Sequence, residues 1–304
     1  MRVSLLFFLF VYITSAQEVL FEGDIYDSKN HNPIPYVNLS FLNTLKGTST
    51  DENGHFFLDI PTSHLEKKVH ISSLGYKDTI VDARILFNSK KIRLIEESYK
   101  LDEVVLSENM GDSFVLNPIN SHSITSGFSS SHTPWVLALY FPNIGAQNKV
   151  VEKATVFFQK TDFRRLTSKF RIRVYDVDPR TQKPRRDLIN ESIILECDFA
   201  QDFVSADLSA FKIKMPEEGI YIGLEWLFIP YNWYKMVEKS PVTNKHIVED
   251  RFAPTFGGVY VNDKNLKAMV YGMGEWIDFK VKSKDKSKNF IPAISLKLSK
   301  EKSK

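Results

Sequence analysis

From residue 18 onward, apolar and polar residues alternate in short runs, and no stretch holds the spacing of a long amphipathic helix. EVLFEGDIY (18–26), IPYVNLSFLN (34–43), HFFLDI (55–60), KKVHISS (67–73), GYKDTIV (75–81) and KKIRLI (90–95) each predict a strand, with turn clusters such as DSKNHNP between them. The nearest helix candidate is short, Asp82 to Asn88. Residues 107–133 are rich in Ser, Asn and Gly and lose the pattern, which predicts a linker, taken over 98–133. Strand signals return in VLALYFP, VVEKATVFFQK, SKFRIRVYDV, ESIILECDF, FKIKMP, GIYIGLEWLFIP, AMVYGMGEWIDFK and FIPAISLKL. The pattern predicts an all-β chain: a first β-sandwich over 17–97, a linker over 98–133, a second sandwich of jelly-roll type over 134–298 and a basic tail over 299–304. Asn232 to Phe256 is the longest weakly patterned stretch of the second domain, and it predicts a loop.

The stretch GTSTDENGHFFLDI (47–60) poses a choice between a metal loop and a turn. A calcium loop of the helix–loop–helix kind counted from Asp51 needs glycine at position 6 and glutamate at 12, whereas Gly54 falls at 4 and Thr62 at 12. Asn53-Gly54 between apolar runs instead predicts a hairpin tip, with Phe56 and Phe57 on opposite faces of the next strand.

The same stretch, with NPIPYVNLSFLN before it and VHISSLGYKDT after it, resembles the carboxypeptidase-regulatory-like domain of Bacteroidetes surface and secreted proteins. Pro33 to Asn38, then Gly47, Thr48, Thr50, Asp51, Gly54 and Phe56, then Leu74, Gly75 and Tyr76 carry the resemblance, over about residues 18–95. It implies a seven-stranded, transthyretin-like sandwich without catalytic function. LDEVVLS (101–107) is similar to the segment that follows this domain in starch-utilisation-type TonB-dependent transporters. Fewer than 200 residues remain after it, too few for the 22-stranded barrel and plug of such a transporter.

Export is expected from the first residues. Arg2, the apolar run Val3–Ile13 and Thr14-Ser15-Ala16 have the order of a secretory signal peptide, residues 1–16. Eleven helical residues reach about 16 Å, short of a bilayer core of roughly 30 Å. The mature chain is thus expected without a transmembrane segment, in the periplasm, on the cell surface or secreted. A formal charge of +3 gives no reason to expect nucleic acid. One cysteine, Cys197, leaves an exported chain without a disulfide, and its strand context predicts a buried thiol.

No complete catalytic set emerges. Gly111-Asp112-Ser113 lacks the Asp-x-x-His partner of a hydrolase block of that type, since none of the seven histidines follows an aspartate at that spacing. His246 and Glu249 form a His-x-x-Glu, but no later histidine supplies a third zinc ligand. His122 and His132 flank a serine-rich run without an orienting acid. Tyr231, Trp233 and Tyr234 follow Pro230, where the strand pattern breaks, and predict an aromatic loop suited to a sugar ring or a protein partner; Trp276 joins them as a rim candidate. Asp176, Asp178 and Asp187 are the carboxylates that a structural Ca²⁺ would use.

The expected function is non-catalytic binding or scaffolding in the cell envelope, with polysaccharide or an outer-membrane protein as partner. The alternatives are a glycoside-type hydrolase that pairs carboxylates among Asp176, Asp178, Glu225 and Glu249, and a structural partner of an outer-membrane transport complex.

Overall fold

The computed structural model describes residues 17–97, 110–124, 126–144, 149–160, 167–198, 200–239, 244–272, 274–281 and 288–301. The expected signal peptide and LDEVVLS lie outside them. The described chain is almost entirely β, and no helix in it is long and apolar enough to cross a membrane.

The first sandwich has seven strands: β1 (Glu18–Asp27), β2 (Asn38–Phe41), β3 (Gly47–Ser49), β4 (His55–Pro61), β5 (Lys68–Ser72), β6 (Thr79–Asp82) and β7 (Lys91–Leu94). A helix of about two turns, α1 (Ala83–Ser89), sits where the short helix was expected. One sheet runs β4–β1–β7 and the other β3–β2–β5–β6. Alternation puts Phe21 and Ile25 of β1 and Phe56 and Ile60 of β4 against Leu39, Phe41, Val69 and Ile71 of the facing sheet. Phe57 points outward, as the pattern predicts. The Asp51–Gly54 turn is tight: Asp51 Oδ1 accepts from the Asn53 and His55 amides, and Gly54 takes a φ of +73°. It does not close a hairpin, however. β3 pairs with β2 and β4 with β1, so the turn carries the chain from one sheet to the other.

The second sandwich is formed by β8 (Met110–Leu116), β9 (Ser126–Ser130), β10 (Val136–Phe141), β11 (Lys149–Phe157), β12 (Thr167–Val177), β13 (Pro184–Asp187), β14 (Ile193–Asp198), β15 (Phe203–Asp207), β16 (Ile220–Trp226), β17 (Trp233–Lys239), β18 (His246–Val261), β19 (Ala268–Gly272), β20 (Glu275–Asp278), β21 (Asn289–Pro292) and β22 (Ile294–Glu301). That is more than the eight strands of a jelly roll. The large sheet is ordered β13–β12–β16–β10–β19–β20, with β14 also on β12. Facing it are β15–β11–β22–β8 and β17–β18–β21, with β9 on β18. Leu137, Leu139, Phe170, Ile172, Val174, Ile222 and Leu224 from the large sheet meet Val151, Val156, Ile294, Leu296 and Leu298 in one core.

Three expectations are corrected here. The stretch 98–133 is not all linker, because β8 and β9 lie in it and pair with β22 and β18. Among the described residues each pairs with one neighbouring strand, and an edge strand needs less apolar alternation than a central one. The stretch Asn232 to Phe256 is not one loop, because β17 and much of β18 lie in it and pair as a ribbon. The tail also begins later than 299, since β22 continues to Glu301 and buries Ser299.

Candidate binding clefts at the domain seam

The strand period places Arg171, Arg173 and Tyr175 of β12 on the outer face of the large sheet, beside Tyr221, Gly223 and Glu225 of β16. The first sandwich covers one end of this face, so these polar side chains are buried rather than solvated. Arg171 Nη1 lies 3.2 Å from both Glu225 oxygens, its Nη2 donates to the Tyr36 carbonyl at 2.8 Å and its Nε to Ser192 Oγ at 2.8 Å. Asn38 Nδ2 donates to Glu225, while Asn38 Oδ1 accepts from Ser49 Oγ at 2.7 Å. Ser49 Oγ in turn accepts from the Phe228 amide at 2.9 Å. A buried ion pair is tolerated only when its remaining donors and acceptors are filled, and here both domains fill them.

A polar cleft of about 430 Å³ opens on one side of this network. The first domain contributes His70, Tyr76 and Asp78, and the second Arg173, Tyr271 and Trp276. His70 Nε2 lies 3.1 Å from Asp78 Oδ2, and its ring stands 6.0 Å from that of Tyr271 across the seam. Trp276, on β20, packs edge-on against Tyr175 at 5.4 Å and tilted against Tyr271 at 5.3 Å. Arg173 bridges two carboxylates: Asp187, bonded through Nε and Nη2, and Glu225 Oε2 at 3.5 Å. Burial pushes the Asp187 carboxyl above its ordinary value, against the pull of Arg173.

The structure does not gather Asp176, Asp178 and Asp187 around one ion. Asp176 is buried and accepts from Arg185 Nη2 at 2.6 Å and from the Arg186 amide at 2.7 Å. Burial opposes ionisation there, yet the two arginines hold the carboxyl below its ordinary value. Asp178 caps the next turn by accepting from the Arg180 and Thr181 amides. Asp187 projects from the other face of the sheet to Arg173. Among the described residues no three His, Cys, Asp or Glu side chains are placed to share a metal. The Ca²⁺ expectation fails because arginines at 173, 185 and 186 supply the positive charge.

A more apolar groove of about 460 Å³ lies on the other side of the seam, between Phe57 and Leu58 of β4 and Phe228, Trp233 and Phe252 of the second domain. Phe228 and Phe252 stack at 3.9 Å as its floor, while Phe57 and Trp233 stay 51% and 44% exposed. The expected aromatic loop is divided. Tyr231 sits in a 3-10 turn with its hydroxyl 3.1 Å from Glu196 Oε1 and Lys169 above its ring at 4.9 Å. Trp233 and Tyr234 begin β17 and therefore face opposite sides of it. Trp276 belongs to the polar cleft. Sequence reasoning missed Phe57 as a groove residue, although its outward alternation was the available signal.

Of the carboxylates weighed for hydrolysis, only Glu225 reaches the polar cleft. Its neighbour there is Asp187, and both are paired to arginine. Glu249 is bonded to Arg251 on the ribbon, where His246 is exposed.

No curated protein matches the chain. Residues 21–106 match the family model of the CarboxypepD_reg-like domain, so the seven-stranded sandwich that forms one wall of both clefts is a domain of that family.

Proposed function

We propose that this chain is an exported, non-catalytic binding protein of a Bacteroidetes cell envelope that takes a carbohydrate in the polar cleft between its two sandwiches. The observation that carries the reading is the Trp276–Tyr271 aromatic wall, set beside the His70, Asp78 and Arg173 side chains in one cleft. A sugar ring presents a C–H face that packs on an aromatic ring, and hydroxyls that both donate and accept. An apolar wall with a few fixed polar groups is the usual make-up of such a site, and about 430 Å³ falls in the range of small-ligand clefts. The arginine pairing of Glu225 and Asp187 supports binding over hydrolysis, because a general acid or nucleophile needs a carboxyl free to exchange a proton or attack.

The test is retention of residues 17–304 on a panel of immobilised polysaccharides, with Trp276→Ala and Trp233→Ala run beside the wild type. Retention that Trp276→Ala loses and Trp233→Ala keeps is the expected result. Absence of retention on every glycan overturns the reading.

A second reading, a structural partner in an outer-membrane complex, is favoured by one observation. The exposed Phe57 and Trp233 continue along the β17–β18 ribbon into the cross-strand pair Val237 and Val248, both more than half exposed. Trp233→Ala and Val237→Lys would then release the protein from envelope fractions while leaving glycan retention unchanged.

A further inference from the structure

The β17–β18 ribbon runs out beyond the sheet that holds its base. From Tyr234↔Arg251 to Lys239↔His246 it pairs with no third strand among the described residues, and β9 and β21 join β18 only from Phe252 onward. A two-stranded ribbon is marginal in water unless one of its faces is covered. One face carries Lys235, Val237 and Lys239 on β17, opposite Asp250, Val248 and His246 on β18, and all six are exposed. At its base this face opens into the apolar groove, where Trp233 and Phe57 are exposed. At its far end Val237 and Val248, 60% and 57% exposed, form a ridge. Four strand residues separate Val237 from Trp233, about 13 Å. The stripe thus has a groove at one end and a ridge at the other, and its charges divide in the same way. The groove end holds Asp51 and Asp59 against one lysine, Lys46, whose ammonium donates to the Asp59 carbonyl oxygen at 3.3 Å. The ridge ends in Lys239 and His246, and the middle is the Lys235–Asp250 ion pair at 3.2 Å.

We infer that this stripe is the interface of a two-fold dimer, in which the Val237–Val248 ridge of each copy lies in the Phe57–Trp233 groove of the other. A two-fold interface needs a patch that complements itself, with every contact made twice. An axis at the Lys235–Asp250 pair meets that need: it turns ridge onto groove, and Lys239 onto Asp59 of the second copy. Covering Phe57, Trp233, Val237 and Val248 removes exposed apolar surface from water on both copies, and the bare ribbon gains the layer it lacks. The opposite charges at the two ends set the register. A hydrocarbon chain is the poorer occupant, because it would desolvate the ion pair in the middle of the stripe and offer it no partner. The inference rests on the exposed stripe of the second reading above, and it names the partner as another copy of this chain; the carbohydrate cleft plays no part in it.

The experiment is sedimentation equilibrium of residues 17–304 over a range of concentrations. The expected result is a monomer–dimer equilibrium. Val237→Lys, at an exposed position, should weaken it at least about tenfold with an unchanged circular dichroism spectrum. The deciding arm is a charge swap between chains. Lys239→Asp and Asp59→Lys each set like charges against each other at both ends of a homodimer, so either variant alone should dimerise about tenfold more weakly. Mixed one to one, the two variants restore both attractive contacts, and the mixed dimer should form as tightly as the wild type. A chain that stays monomeric up to about 1 mM, an unchanged affinity in Val237→Lys, or a mixture no tighter than its components would each overturn the inference. A monomeric chain that Trp233→Ala nevertheless releases from envelope fractions would keep the second reading and sink this one.

Discussion

Arg171 and Glu225 stand directly opposite each other on β12 and β16, guanidinium to carboxylate at 3.2 Å, and each side chain is at most 1% exposed. They are charged residues on the outer face of a sheet, and only the covering first domain makes them interior. Removing one partner strands the other. Arg171→Met should therefore cost about 3 kcal/mol, the low end of what breaking a buried pair costs, because Arg173 remains 3.5 Å from Glu225. Urea unfolding at unchanged slope would show this as a lower midpoint. Arg171→Met combined with Glu225→Leu should recover most of the loss. A single variant as stable as wild type would mean the pair holds nothing together.

Gly47 lies at a close approach of the two domains. A Cβ there would lie 2.6 Å from the Leu39 carbonyl oxygen and 2.6 Å from Thr133 Oγ1 of the second domain. The first is backbone within the β2–β3 ladder and cannot yield without breaking it. Gly47→Ala should cost about 1–3 kcal/mol by overpacking and disturb the Ser40–Thr133 contact at 3.2 Å. Gly272→Ala is the control: its nearest neighbours are Trp135 atoms at 3.7 Å, ordinary contact distance, so its stability should move by less than about 0.5 kcal/mol. Equal effects of the two substitutions would contradict the close approach.

The sequence made the strands visible because their signal is local. Phe56 inward and Phe57 outward follow from alternation alone, as does the buried side chain of Cys197 on its strand. What alternation cannot say is what covers the outer face. FRIRVYDV reads as a half-buried strand with its arginines in water, whereas Asn38, 187 residues before Glu225, turns that face into interior. The same blindness joined Tyr231, Trp233 and Tyr234 into one candidate surface, although a 3-10 turn and a strand start aim them three ways. It also merged Asp176 with Asp187, which stand on opposite faces of β12 and β13. The turn Asp51–Gly54 was legible as a turn, but the sheet it leads into depends on which strands pair, and that is long-range.

Asp176 gives a pH dependence of definite sign. Its carboxyl is held below the ordinary 3.8 by Arg185 and Arg186, against the burial that opposes ionisation. A depressed folded value stabilises the native state fully above the unfolded value and loses that contribution as pH falls through the folded one. Asp176→Asn should therefore be destabilising near neutral pH, by roughly 1–3 kcal/mol for a buried acceptor to charged donors. The gap between variant and wild type should close as the pH drops below about 3.8. A gap that widens with acid would reverse the sign and refute the assignment.

Cys197 offers a probe of the second sandwich itself. Its thiol is 4% exposed, lies 3.2 Å from Ser168 Oγ, and is pushed by burial up to about 11. Thiolate is the reactive form, so a rise of that size lowers reactivity near pH 8 by about a hundredfold before steric exclusion is counted. Labelling with a thiol reagent should accordingly be at least about a hundredfold slower in the native chain than in urea. Cys197 sits on β14, at the edge of the large sheet and beside β12, so the residual native rate should follow opening of that edge. Arg171→Met removes a side chain that reaches from β12 to the first domain, so it should raise the native labelling rate in step with its loss of stability. If the rate stays fixed while the midpoint falls, the β12–β14 edge opens independently of the seam, and the buried ion pair fastens the domains together without stiffening the sheet beneath it.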